Sequence, residues 1–182
     1  MICVSLHTMG HRMSIVPVER IYLVGFMGAG KSTVGRELSM RLQWSFIDLD
    51  SEIEKSEKLA VREIFAKFGE PRFRELEREH LARVSKTPKA VIALGGGAYV
   101  NETNRALVDT TGVAVWLNAS LESVKERVRP DGTRPLLADE EKAKQLHAER
   151  IPSYRLARIH VLTDNRLPDA IAEEIVRKVT NL

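Results

Sequence analysis

The sequence predicts one α/β domain, a parallel β-sheet covered by helices, and three observations carry that prediction. Short apolar runs of strand length recur along the chain, stretches with helical spacing separate them, and the first run ends in a glycine-rich turn that opens a helix. At 182 residues the chain has the length of a single compact domain able to bury its own core.

The elements follow in order. Residues 1–19 lack the periodicity of the remainder and read as a disordered N-terminal extension, with Met13 as an alternative start. His7, His11 and Arg12 make this stretch faintly basic, and no apolar signal-peptide core follows. Residues 21–24, Ile-Tyr-Leu-Val, are apolar without alternation, the pattern of a strand buried on both faces. Residues 31–42 place Val34, Leu38 and Leu42 on one helical stripe. Residues 46–48 are a second strand, and residues 53–84 read as two or three helical pieces interrupted around Gly69-Glu70-Pro71. Strands at 91–94, 113–117 and 160–162 complete the set, with helical patterns filling the gaps, including 121–128, 140–151 and 169–179. Strands alternating with helices in this way specify a parallel sheet.

Composition excludes several functions. The 28 basic and 25 acidic residues leave a net charge of +3, spread without any run of five like charges and without interleaved aromatic residues, so a nucleic-acid partner is not expected. No apolar run approaches the ~20 residues of a membrane span. Cys3 is the only cysteine, which rules out an internal disulfide and suits a reducing cytoplasm.

The chemistry begins at residues 25–32, Gly-Phe-Met-Gly-Ala-Gly-Lys-Ser, a complete Walker A pattern between a buried strand and a helix. Glycines 25, 28 and 30 let backbone N–H groups turn inward on a phosphate. Lys31 reaches the β- and γ-phosphates, Ser32 ligates magnesium, and the helix starting near Lys31 points its positive end at the same anion. The motif therefore predicts ATP and Mg2+. The polar loop at residues 129–135, with two arginines, reads either as an ordinary connection or as a lid lowered over a nucleotide.

The strand at 91–94 runs into Gly95-Gly96-Gly97 and offers no carboxylate for a metal. Asp48 and Asp50 end the second strand, and continued extension would place them on one face at the edge of the sheet where α/β ligands bind. One suits magnesium and the other an acceptor hydroxyl; the other reading is that Asp50 or Ser51 merely caps the following helix. Three consecutive glycines after a buried strand point to close backbone approach by a ligand, or to a sharp turn. Arg74 has Glu70 and Glu77 within helical reach, so it reads as a surface ion pair or as a ligand-gripping arginine held by Glu77.

Together, the phosphate loop, Asp48-Leu49-Asp50, Gly69-Glu70 with Phe73-Arg74, the glycine triplet, Arg134-Pro135-Leu136-Leu137 and the run from Glu149 to Tyr154 resemble the shikimate kinase family in order and spacing. The resemblance covers nearly all of the chain beyond the leading tail. Leu49 and Ser153 depart from the family pattern without removing a group the chemistry needs.

The resemblance implies a three-layer P-loop fold of the nucleoside-monophosphate-kinase type, a five-stranded parallel sheet in order 2-3-1-4-5, and a domain over residues 20–182 with a lid near 128–139. It implies transfer of the ATP γ-phosphate to the 3-hydroxyl of shikimate. Gly28, Ala29, Gly30, Lys31, Ser32 and Thr33 would hold the ATP phosphates, with Arg127 and Pro168 around the adenine. Ser32 and Asp48 would hold Mg2+. Asp50 would meet the acceptor hydroxyl as base or as orienting group, Arg74 and Arg150 would grip the carboxylate, and the Gly96 and Gly97 backbone would lie beside the ring. Lys31 and Arg134 would approach the transferring phosphate. Another small-molecule kinase, for example one acting on gluconate, is the nearest alternative, followed by a non-catalytic nucleotide-binding module. A cytoplasmic monomer is the expected form.

Overall fold

The computed structural model describes residues 3–5, 15–127 and 140–182. Within the leading stretch expected to lack regular structure, Cys3–Ser5 (β1) and Ile15–Pro17 (β2) pair antiparallel. The segment 128–139, expected to form the lid and to carry Arg134, lies outside the described residues.

Five strands form the main sheet: Arg20–Val24 (β3), Ser45–Asp48 (β4), Ala90–Ala93 (β5), Val113–Asn118 (β6) and Ile159–Leu162 (β7). All neighbours pair in parallel, in the order β4-β5-β3-β6-β7. Counted along the main sheet this is 2-3-1-4-5, as the resemblance implies. The helices are Lys31–Leu42 (α1), Leu49–Glu57 (α2), Val61–Val84 (α3), Glu102–Thr111 (α4), Leu121–Arg127 (α5), Glu140–Tyr154 (α6) and Pro168–Thr180 (α7), with a 3-10 turn at Ala98–Val100. The chain moves one way along the sheet from β3 to β4 and the other way in every later crossover. Right-handed crossovers then put α1 on one face and the intervening helices on the opposite one. The packing agrees, because α1 lies against α7 while α3 lies against α4.

Local sequence accounts for the main features. Ile21, Tyr22, Leu23 and Val24 of β3 are all fully buried, as their unbroken apolar run requires of the central strand. Residues 61–84 form one span with a kink at Gly69, whose φ of 77° and ψ of 173° break the helical path just ahead of Pro71. The half beyond the kink carries Arg74.

The edge strand β7 alternates buried and exposed residues. Thr163 N donates inward to Asn118 O, so the carbonyls of His160 and Leu162 face outward. Lys178 Nζ donates to His160 O at 2.7 Å and Arg166 Nη1 to Leu162 O at 3.0 Å. Glu174 of α7 holds both cations. The sheet edge is thus occupied by side chains that block further strand pairing.

One residue fixes how α1 sits on the sheet. A Cβ at Gly35 would overlap the Phe46 ring of β4 and come within 3.2 Å of Leu23 Cδ1. Gly35→Ala is therefore expected to destabilise the fold by about 1–3 kcal/mol through overpacking. A lowered thermal midpoint measures the effect, and an unchanged one would contradict this packing.

Candidate functional site

The parallel register brings the C-terminal ends of β3, β4 and β5 side by side, and the phosphate loop, the Asp48–Asp50 turn and the glycine triplet all leave the sheet there. In the loop, Gly28 has φ 78° and Gly30 φ 93°, left-handed values that residues with a Cβ rarely adopt. Gly28, which the general motif does not demand, is explained by its own backbone. Ala29 is buried, and its N–H donates to Phe26 O at 3.2 Å. The first turn of α1 contains Lys31, Ser32 and Thr33, no acidic residue and no capping side chain. The helix start thus carries no anion of its own, which suits its N–H groups and positive dipole end to a phosphate. Lys31 Nζ donates to Gly25 O and Phe26 O, each at 2.9 Å, curling over the loop.

Ser32 Oγ donates to Asp48 Oδ2 at 2.6 Å. Asp48 also caps α2, accepting from Ser51 N at 3.4 Å. Here the structure corrects the sequence reading. The strand ends at Asp48 and a helix begins at Leu49, so Asp48 and Asp50 do not share one face of an extended strand. Capping fixes the turn, and Asp50 falls in the first turn of α2 instead. Both carboxylates still face the sheet edge: Asp50 Oδ1 lies 2.7 Å from where a Cβ on Gly95 would sit.

Side chains from three helices meet over the glycine triplet. A Cβ at Gly95 would also meet Glu77 Oε1 at 2.8 Å. One at Gly96 would meet Arg150 Nη1 at 3.0 Å, and one at Gly97 Arg74 Nη1 at 2.6 Å. Asp50, Arg74, Arg150, Gly96 and Gly97 are thereby brought together, as expected. Arg74 makes both ion pairs that its spacing allowed: Nη2 to Glu70 Oε1 at 2.9 Å and Nη1 to Glu77 Oε2 at 2.9 Å. Glu70 is largely solvent-exposed, whereas Glu77 is fully buried and its Oε1 has no hydrogen-bond partner among the described residues. Burial holds the Glu77 carboxyl above the usual carboxylate range, and the nearby Asp50 charge adds to this, against the pull of Arg74 and Arg150. Arg150 also lies over the ring of Phe26, 5.9 Å from its centroid, so a phosphate-loop side chain packs beside the arginine at the glycine turn.

The sequence reading gave no role to Tyr154. Its hydroxyl donates to Gly96 O in a short hydrogen bond. The signal was its spacing, four residues after Arg150 and hence on the same helix face.

Between α1 and the start of α7, Thr33 and Pro168 line one open groove of about 450 Å³ together with Arg36, Met40 and Leu167. Arg127 is anchored at the end of β7, with Nη2 donating to Thr163 O at 2.6 Å and Nη1 to Thr163 Oγ1 at 3.3 Å. Nearby, Asp164 accepts from Ser120 N at 3.0 Å and ties β7 to the start of α5. No group of three or more metal-binding side chains occurs among the described residues, and no helix among them is long and apolar enough to cross a membrane.

Comparison with known proteins follows this geometry. The sequence model of the shikimate kinase family matches residues 27–180. The shikimate kinase of Sulfurihydrogenibium sp. (strain YO3AOP1) is 44% identical over 163 residues, covering 89% of this chain and 98% of that protein. The shikimate kinase of Brucella canis is 40% identical over 159 residues, covering 86% and 80% respectively. Among solved structures, shikimate kinase from Acinetobacter baumannii in complex with shikimate superposes with a TM-score of 0.86 at 36% identity, covering 90% of this chain and 94% of that one.

The Asp164 anchor has a pH signature. Burial alone would raise its pKa, but hydrogen bonds from Ser120 N and from the Ser123 and Ser120 side chains, together with the Arg127 charge, hold it below the usual value. A depressed folded-state pKa contributes stability that is present above the unfolded value near 4 and lost as pH falls through the folded one. Asp164→Asn is expected to lower stability at neutral pH by about 1 kcal/mol and to flatten the loss below pH ~4. Chemical denaturation at several pH values checks this; an undiminished acid slope in the variant would refute it.

Proposed function

The chain belongs to the shikimate kinase family and is a kinase, and we propose that it transfers the γ-phosphoryl group of ATP to the 3-hydroxyl of shikimate through the residues gathered at the glycine turn. The observation that carries this reading is the convergence of two guanidinium groups and a carboxylate on a backbone without side chains. Shikimate offers a carboxylate and ring hydroxyls, which suit planar guanidinium forks and a hydrogen-bond-accepting carboxylate.

In this reading Arg74 and Arg150 grip the substrate carboxylate while the ring lies along Gly96 and Gly97. Asp50 accepts the hydrogen bond of the 3-hydroxyl. The hydroxyl oxygen attacks the γ-phosphorus as the bond from that phosphorus to the β–γ bridging oxygen breaks, leaving ADP, and the hydroxyl proton departs toward Asp50. Alignment and positive charge matter more than base strength in such a loose transition state, so Asp50 acts as much by orientation as by proton removal. Gly28 to Thr33 hold the phosphates, and Arg127 and Pro168 flank the adenine. Arg134, outside the described residues, completes the charge on the transferring group together with Lys31.

Ser32 and Asp48 present two oxygens 2.6 Å apart beside the α1 N-terminus, hard donors of the kind Mg2+ takes. They would hold that ion, directly and through water. When bound, it neutralises phosphate charge as the transfer proceeds. The blocked β7 edge supports a monomer as the working form, and dependence on ATP supports a cytoplasmic setting.

Asp50→Asn is expected to lower kcat at least ~100-fold, the usual range for a lost acid–base or orienting group. Arg74→Ala is expected to raise the KM for shikimate roughly 10–100-fold, the worth of a lost charge-assisted pair. A coupled assay of ADP release, run with shikimate, gluconate and nucleoside monophosphates, measures both. ADP release with another acceptor and none with shikimate would overturn the acceptor and leave the kinase standing.

A further inference from the structure

We propose that Tyr154 is a positioning residue for the acceptor: its phenol oxygen holds the Gly96 carbonyl beside the Arg150 guanidinium, so that both meet the acceptor as one preset surface. The proposal rests on the reading above that Arg150 and Gly96 touch shikimate.

Three observations carry it. The Tyr154 hydroxyl donates to Gly96 O, and Arg150 Nη1 lies 3.0 Å from where a Cβ on that same glycine would sit. Tyr154 is 1% exposed, so the bond to Gly96 is shielded from bulk water. The ring is held from behind by Trp116, 6.2 Å between centroids, and Trp116 Cδ1 lies 3.5 Å from the Cβ direction of Gly25 at the start of the phosphate loop. The phenol therefore has a fixed seat from which its oxygen holds the Gly96 carbonyl beside Arg150.

The arrangement answers a problem of charge. Arg150 and Arg74 both exert electrostatic pull on the buried Glu77 carboxylate. Without a competing partner, the Arg150 guanidinium would drift toward that carboxylate and away from the ring site. The phenol oxygen, one turn beyond Arg150 on α6, puts a neutral polar group on the side of the glycine turn. Burial pushes the phenol pKa up to about 12, with Arg150 and Arg74 holding it back, so the group stays protonated at neutral pH and always has a hydrogen for Gly96 O.

Tyr154→Phe removes the oxygen and keeps the ring against Trp116. We expect the dissociation constant and KM for shikimate to rise about tenfold, with kcat falling less than threefold and the KM for ATP unchanged. Calorimetry and steady-state kinetics give these values, and thermal melting verifies that the variant is folded. Because the effect runs through Arg150, introducing Tyr154→Phe into an Arg150→Ala background should change shikimate binding less than twofold. A general packing role would instead carry its full effect into both backgrounds, and that result would overturn the proposal. So would unaltered shikimate binding in Tyr154→Phe while Arg150→Ala weakens it, an outcome that leaves the function of Arg150 intact. If Arg150→Ala alone leaves shikimate binding unchanged, the reading of Arg150 falls, and the proposal with it.

Discussion

Side chains from three helices close on a stretch of backbone that carries none of its own. Asp50 of α2, Glu77 and Arg74 of α3, and Arg150 of α6 all lie within van der Waals distance of where a Cβ would stand on Gly95, Gly96 or Gly97. The space they need exists only because β5 passes directly into three glycines. The turn is pinned in place from outside: Asn104 Nδ2 donates to Ala98 O at 3.1 Å, and Tyr154 reaches Gly96 O. The entropy lost in ordering a glycine-rich turn is offset by such fixed contacts.

The charges in this cluster balance one another more than they balance solvent. Glu77 is buried beside Arg74, and a buried carboxylate of this kind is tolerable only with a cation against it. Glu77 thereby restrains a guanidinium that would otherwise sweep through water from the helix surface, as Glu70 does from the exposed side. The phosphate loop joins the same network through Phe26, whose ring meets Arg150 on one side and the His147 ring, edge-on at 5.1 Å, on the other. Donor and acceptor halves of the site thus share side chains as well as a sheet edge.

Much of this was legible in the sequence because its strongest signals are local. The boundaries of α1 follow from apolar spacing after a glycine turn, and the break at Gly69 from a glycine and proline in one helix. The order of the sheet was not readable from periodicity and came from resemblance to a family. The turn at Asp48 was misread because two aspartates spaced by one residue fit a strand as well as a helix cap. The hydrogen bond from Ser51 N to the Asp48 carboxylate, which decides the matter, cannot be seen in a spacing. Tyr154 was passed over because an aromatic residue at the end of a helix most often means packing. Its hydroxyl meets Gly96, 58 positions away in the chain, and only the fold brings them together. α4, between the glycine turn and β6, was not named in advance; its buried positions include the polar Asn104 beside Val108.

The cations on the outer carbonyls of β7 bear on how the chain is made. β7 is the last strand, and its guard Lys178 sits near the end of α7, the last helix. During synthesis the strand emerges before its cover, so the sheet passes through a stage with an open hydrogen-bonding edge and the exposed Leu162 beside it. Arg166, only four residues beyond Leu162, leaves the ribosome early enough to shield that edge before α7 has docked. A chain cut within α7 would keep every residue of the phosphate loop and the glycine turn and still be left with the sticky intermediate as its final state.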